Sequence, residues 1–127
     1  MTDILKCLEG TKIFSMKDNE GTIEICFGKS KEADYFDYEF YTECPCRVTK
    51  KNRVLQRYAK KVLNITCKKV IFNEIGDIEI ILQNNVKIQV FANKADAVLW
   101  QFEDNINFKS YLKTSDFAND GGDYEYI

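Results

Sequence analysis

Apolar and polar residues alternate in a series of short runs, and this period of two predicts strands with one buried face. In 22–27, Ile23, Ile25 and Phe27 fall on one side and Thr22, Glu24 and Cys26 on the other. In 35–43, Phe36, Tyr38, Phe40 and Thr42 oppose Tyr35, Asp37, Glu39, Tyr41 and Glu43. Further strands are predicted at 12–16, 69–73, 77–82 and 86–91. The run 97–102 reads as a strand or short helix, with Val98, Trp100 and Phe102 sharing a face if extended. Between these runs lie turn formers: Asp18-Asn19-Glu20-Gly21, Glu74-Ile75-Gly76 and Gln83-Asn84-Asn85. Pro45 cannot serve inside a ladder and ends the third strand. Ile4, Leu5 and Leu8 suit a helical turn or docked segment that Gly10 closes.

One stretch has the other period. Val54, Leu55, Tyr58, Ala59, Val62 and Leu63 gather into one stripe at helical spacing. This predicts a helix over 52–63, with Asn52 as its N-cap and Asn64 as its stop.

The two sets of strands resemble each other. Gly-x-Ile-Glu-Ile-x-apolar occurs at Gly21 and again at Gly76, and Lys12-Ile13-Phe14 is echoed by Lys69-Val70-Ile71. A true repeat is favoured over chance likeness of two amphipathic hairpins. The predicted fold is α+β: mainly antiparallel sheet from two βββ units, joined by one basic amphipathic helix that covers the sheet's apolar face or one end. The 127 residues suit one domain. It divides into a β unit at about 11–49, the helix at about 52–63, a β unit at about 68–103 and an acidic C-terminal segment at about 108–127.

Charge sharpens this picture. The stretch 47–69 carries Arg47, Lys50, Lys51, Arg53, Arg57, Lys60, Lys61, Lys68 and Lys69, half of the 18 basic residues, and no acid. The other 20 charged side chains of opposite sign, all the Asp and Glu, lie outside it. Such asymmetry points to charged partners. A basic helix could contact nucleic-acid phosphates through Arg53, Arg57, Lys60 and Lys61. The plainer reading is a solvated helix face. No apolar run approaches the ~20 residues of a membrane span, and the N-terminus lacks a signal-peptide core, so a cytoplasmic protein without a membrane partner is expected.

Catalysis finds little footing. The chain has no His, the commonest acid–base group. Gly-rich phosphate loops and nucleophile elbows are missing. The five cysteines make an odd count, and reduced thiols are the default without export. Cys44-Pro45-Cys46 lacks the partner ligands of a metal site and reads as a turn with two incidental thiols. We therefore expect no enzyme, no cofactor, no metal and no small-molecule ligand. Tyr35, Asp37, Glu39, Tyr41 and Glu43 set two tyrosines among three carboxylates on one strand face, which suits protein recognition. The terminal Asp116, Asp120 and Asp123 could steer a basic partner.

The Gly-x-Ile-Glu-Ile hairpins, the apolar strands running to Phe91 and the run Val98-Leu99-Trp100-Gln101-Phe102 resemble the small cytosolic immunity proteins of bacterial toxin systems. These include contact-dependent growth inhibition and related polymorphic toxins. The resemblance covers most of the chain as a pattern. It implies a non-catalytic inhibitor that binds a cognate toxin, often a nuclease with a basic active-site surface, through acidic patches. The alternatives are a nucleic-acid-binding module and a small structural or adaptor domain.

Overall fold

The computed structural model describes residues 4–29, 36–93 and 98–114, and the backbone of 125–126. A short 3-10 helix, Ile4–Leu8, leads into β1 (Lys12–Asn19), β2 (Thr22–Gly28), β3 (Tyr38–Thr42), β4 (Cys46–Lys50) and β5 (Arg53–Val54). Then come α1 (Ala59–Val62), β6 (Cys67–Phe72), β7 (Ile78–Leu82), β8 (Val86–Val90), β9 (Val98–Asp104), β10 (Lys109–Thr114) and β11 (Glu125–Tyr126). Among the described residues these strands form two sheets, ordered β1-β2-β3-β9-β10-β11 and β5-β4-β8-β7-β6. All pairings are antiparallel except β10 with β11. The α+β class with mainly antiparallel sheet is therefore present, and β1-β2-β3 and β6-β7-β8 are the two βββ units.

The layout differs from expectation in three respects. First, the helix spans only Ala59–Val62. Arg53 and Val54 instead pair with Lys50 and Thr49. Lys51 and Asn52 have φ of 51° and 63°, so Asn52 belongs to a two-residue hairpin turn and is not an N-cap. The ladder to β4 outcompetes the helical stripe, leaving Val54 52% exposed. Asn64 does end the helix, at φ 63°. Second, β4 was not expected, since Cys46–Lys50 has only a short apolar signal. It forms because β8 offers it an open edge, from Cys46↔Val90 to Lys50↔Val86. Third, the helix does not cover a single sheet. The two sheets supply one common core: Ile25, Phe40, Trp100 and Phe102 from the first, and Val48, Val70, Ile80 and Ile88 from the second. Trp100 packs 5.8 Å from Phe40 and edge-on to Phe72 at 6.5 Å, so it is a core residue, as expected. Its buried indole N–H has no acceptor among the described residues. Val98, expected on the same face as Trp100, is exposed, because the β9–β10 register shifts between Lys113 and Thr114.

The repeat extends well beyond the two hairpins. Each half runs short helix, three-stranded meander, then a fourth strand that crosses to the other half's sheet: β4 joins β8, and β9 joins β3. β1 and β6 carry a bulge at the same place, between Ile13 and Ser15 and between Cys67 and Lys69. The registers thus equate Ile13 with Cys67, not with Val70 as the sequence likeness suggests. The halves meet symmetrically. Cys67 N–H donates to Thr11 O at 2.7 Å, and its counterpart Ile13 N–H donates to Ile65 O at 3.3 Å. Gly10 N–H donates to Cys67 O at 2.8 Å, and Asn64 N–H to Ile13 O at 2.7 Å. A pseudo-twofold axis therefore passes by the bridge Lys12↔Thr66.

Candidate functional site

Alternation along β2, β3 and β9 sends Glu24, Cys26, Glu39, Tyr41, Gln101 and Glu103 to the outer face of the first sheet, away from Ile25, Phe40 and Phe102. Register then assembles two rows across the sheet. One is Glu24–Tyr41–Gln101 and the other Cys26–Glu39–Glu103. Of the predicted strand face, Glu39 and Tyr41 lie in β3, and Glu24 and Glu103 are brought beside them from the neighbouring strands β2 and β9. Glu24 and Glu103 were not singled out from sequence. The signal for Glu24 was its place in the repeated Gly-x-Ile-Glu-Ile motif.

A groove of about 450 Å³ runs here, lined by Thr22, Glu39, Tyr41, Gln101, Glu103 and Asn105. It adjoins a second hollow of about 300 Å³ that shares Thr22, Tyr41 and Gln101 and reaches Glu43 and Val98. Carboxylate oxygens of Glu24 and Glu39 and the Cys26 sulfur lie within 4.8 Å of one another. The carboxylates are partly held by neutral donors. Asn19 Nδ2 donates to Glu24 at 3.3 Å, Asn105 Nδ2 to Glu39 at 3.4 Å, and Gln101 Nε2 and Ser110 Oγ to Glu103, the former at 2.6 Å. No ion pair reaches Glu24, Glu39 or Glu103 among the described residues. Burial, then the Glu39 and Glu24 carboxylates, push the Tyr41 hydroxyl above its ordinary range. Burial, with Glu24 and Glu39, pushes the Cys26 thiol up to about 12. Both groups stay protonated near neutrality, so neither is a base or nucleophile there.

The corresponding face of the second sheet is built from matching positions with different chemistry. Register equates Glu24 with Glu79, Tyr41 with Gln89, Gln101 with Arg47, Cys26 with Ile81, Glu39 with Lys87 and Glu103 with Thr49. Here Lys87 Nζ lies 3.6 Å from Glu79, Gln89 Nε2 donates to Glu79 at 3.2 Å, and Arg47 Nε donates to Gln89 at 2.7 Å. The Arg47 guanidinium stacks over Phe91, 4.9 Å from the ring centroid. This face satisfies its own charge. The first leaves a like-charged pair at the position where the second has a salt bridge.

The remaining candidates scatter. Asp37 is a loop tie: its carboxylate accepts Lys29 N–H at 3.0 Å and its carbonyl accepts Asn105 N–H at 2.9 Å. Glu43 is exposed and accepts from Thr22 Oγ1 at 3.5 Å. Tyr35, Asp116, Asp120 and Asp123 lie outside the described residues. Arg53, Arg57, Lys60 and Lys61 are exposed but do not share one helix. Arg53 is in β5, Arg57 in the bend that follows, and only Lys60 and Lys61 are helical. Cys44 is buried and its Sγ donates to Leu99 O at 3.2 Å, while burial, Cys44 and Asp18 push the Cys46 thiol up to about 12. Among the described residues no helix is long and apolar enough to cross a membrane. No family model, curated protein or solved structure matches this chain.

Proposed function

We propose that the protein is a non-catalytic inhibitor that neutralises a cognate protein toxin in the cytoplasm, docking on a basic surface of that toxin with the outer face of its first sheet. What supports the reading is the exchange of Lys87 for Glu39 between equivalent positions. Two carboxylates held this close repel by about 1–3 kcal/mol at surface-like effective dielectrics. The fold tolerates that cost where its own symmetry offers a salt bridge instead. Apposed cations would turn the repulsion into attraction and would speed encounter. A nuclease, whose active-site surface must attract phosphates, presents such cations. Tyr41 adds a rigid aromatic surface among the carboxylates.

The test looks beside this gene for a secreted protein with a toxic C-terminal domain and uses that domain; the absence of any such gene counts against the reading. Native protein should protect cells that express the domain and bind it in vitro. Glu39→Lys with Glu103→Lys should weaken binding by on the order of 100-fold, the range for close interfacial charge pairs. Equal protection and affinity from the double variant would remove this face from the interface. Asp37 is left intact, since its substitution would loosen a loop.

A second reading rests on the exposure of Arg53, Arg57, Lys60 and Lys61, none of which enters an ion pair among the described residues. A nucleic-acid-binding module would hold RNA or DNA with an affinity that falls steeply with salt. Absence of any shift at low salt would eliminate it.

A further inference from the structure

The β9–β10 connection also differs between the halves. Its counterpart, between β4 and β5, is the two-residue turn Lys51-Asn52. The β9–β10 turn instead holds Asn105, Ile106, Asn107 and Phe108, closed by the pair Asp104↔Lys109. Ile106 is 48% exposed and Phe108 is 91% exposed. Phe108 also has φ of 57°, in the left-handed region that suits Gly or Asn and strains a bulky side chain. This phenylalanine contributes nothing to the core, yet it holds a position that a smaller residue would fill with less strain.

The tip is firmly built. Asp104, only 7% exposed, accepts the Ile106 and Asn107 N–H groups on Oδ1, each at 3.0 Å, and the Asn107 side-chain amide on Oδ2 at 2.9 Å. On the other side Asn105 donates its backbone N–H to Asp37 O at 2.9 Å and its side-chain amide to Phe36 O at 2.7 Å. The same amide reaches Glu39 Oε2 at 3.4 Å, so the tip borders the acidic groove, which Asn105 also lines. Exposed apolar side chains on a pinned turn lose little freedom when a partner covers them, and such side chains dominate interface energetics.

We infer that Ile106 and Phe108 are the apolar anchor of the docking face, and that the partner is a protein with an apolar socket beside its basic patch. This inference rests on the toxin-docking reading. Charge complementarity draws the partner to the groove, and the tip next to it supplies the contact that slows release.

The probe is the same neighbouring toxin domain, with affinity and melting temperature measured for native protein, Phe108→Gly, Ile106→Ser and Glu39→Lys. Phe108→Gly should bind on the order of 30-fold more weakly, as for removal of an interface hot spot. Its melting temperature should be unchanged or higher, because glycine relieves the positive φ. A merely structural Phe108 would give the opposite pair of results. If native protein and Glu39→Lys differ as expected but both tip variants bind within about threefold of native, well below a hot-spot loss, the anchor is refuted and the docking reading stands. If native protein does not bind the domain, both fall. A concentration-dependent dimer that Phe108→Gly abolishes would assign the tip to a second copy of the chain and overturn the inference.

Discussion

The two halves share a strand plan, a bulge position and a Gly-x-Ile-Glu-Ile hairpin, yet their outer faces are opposites. On the second sheet Glu79, Gln89, Arg47 and Lys87 form one connected network. In the first, Glu24 has Glu39 for a neighbour where Glu79 has Lys87. One face is finished within the chain and the other is not. Because the backbone frame is the same, the difference is not forced by folding. It belongs to the side chains.

The sharpest way to break this comparison is at the paired hairpin glycines. Gly21 and Gly76 both have positive φ, 94° and 103°, but a Cβ on Gly76 would lie 2.7 Å from Leu99 Cδ1 while one on Gly21 would meet nothing within 4 Å. Gly76→Ala should cost about 2–3 kcal/mol and Gly21→Ala about 1 kcal/mol, the strain being common and the clash unique. Urea unfolding of the two variants checks this, and equal losses would mean that the second hairpin yields.

A smaller effect tests the faces directly. Glu39→Lys should stabilise the fold by about 0.5–1 kcal/mol by copying the second half's ion pair, and Lys87→Glu should destabilise it by a similar amount. The gain in stability from Glu39→Lys, set against its loss of binding, would separate functional from structural roles. If both charge reversals destabilise, the two faces are not electrostatic opposites.

The smallest effect is alkaline. Cys26 and Tyr41 have raised pKa values in the folded chain, from 9.0 and 10.0. For a raised pKa the stabilisation is complete below the unfolded value and is lost as pH climbs through the folded one. Stability should therefore decline above about pH 9 for Cys26. Burial raises Cys67 and Cys46 as well, so the decline is shared. Cys26→Ala with Tyr41→Phe should make the slope shallower, since the matching Ile81 and Gln89 do not titrate. An unchanged slope in thermal melts from pH 8 to 11 would place the proton uptake elsewhere.

Much of this was legible in the sequence, for a physical reason. Period-two alternation reports which face of a strand is buried, so Phe40 inward and Glu39 and Tyr41 outward followed directly. Turn residues placed the hairpins. Local pattern does not report which distant strand completes an edge. The exchange of β4 and β9 between sheets, and with it the arrival of Glu103 beside Glu39, depends on partners tens of residues away. The helix over 52–63 failed for a related reason. The stripe at Val54, Leu55 and Tyr58 is real, but Lys51-Asn52 folds Arg53 and Val54 back onto β4, and the remaining residues suffice for one turn of helix.

The crossing of β4 and β9 also bears on how the chain reaches its fold. Neither sheet can be completed by one half. Tyr38 must find Asp104, and Cys46 must find Val90, before β3 and β8 lose their open edges. Pairings so far apart in sequence are slow to form, because loop closure must be met before the contacts reward it. During synthesis the first half must wait, with its edge unpaired, until the second has emerged. Once both are present the strands interlock, and neither half can open without the other. The molecule therefore folds late and as a unit.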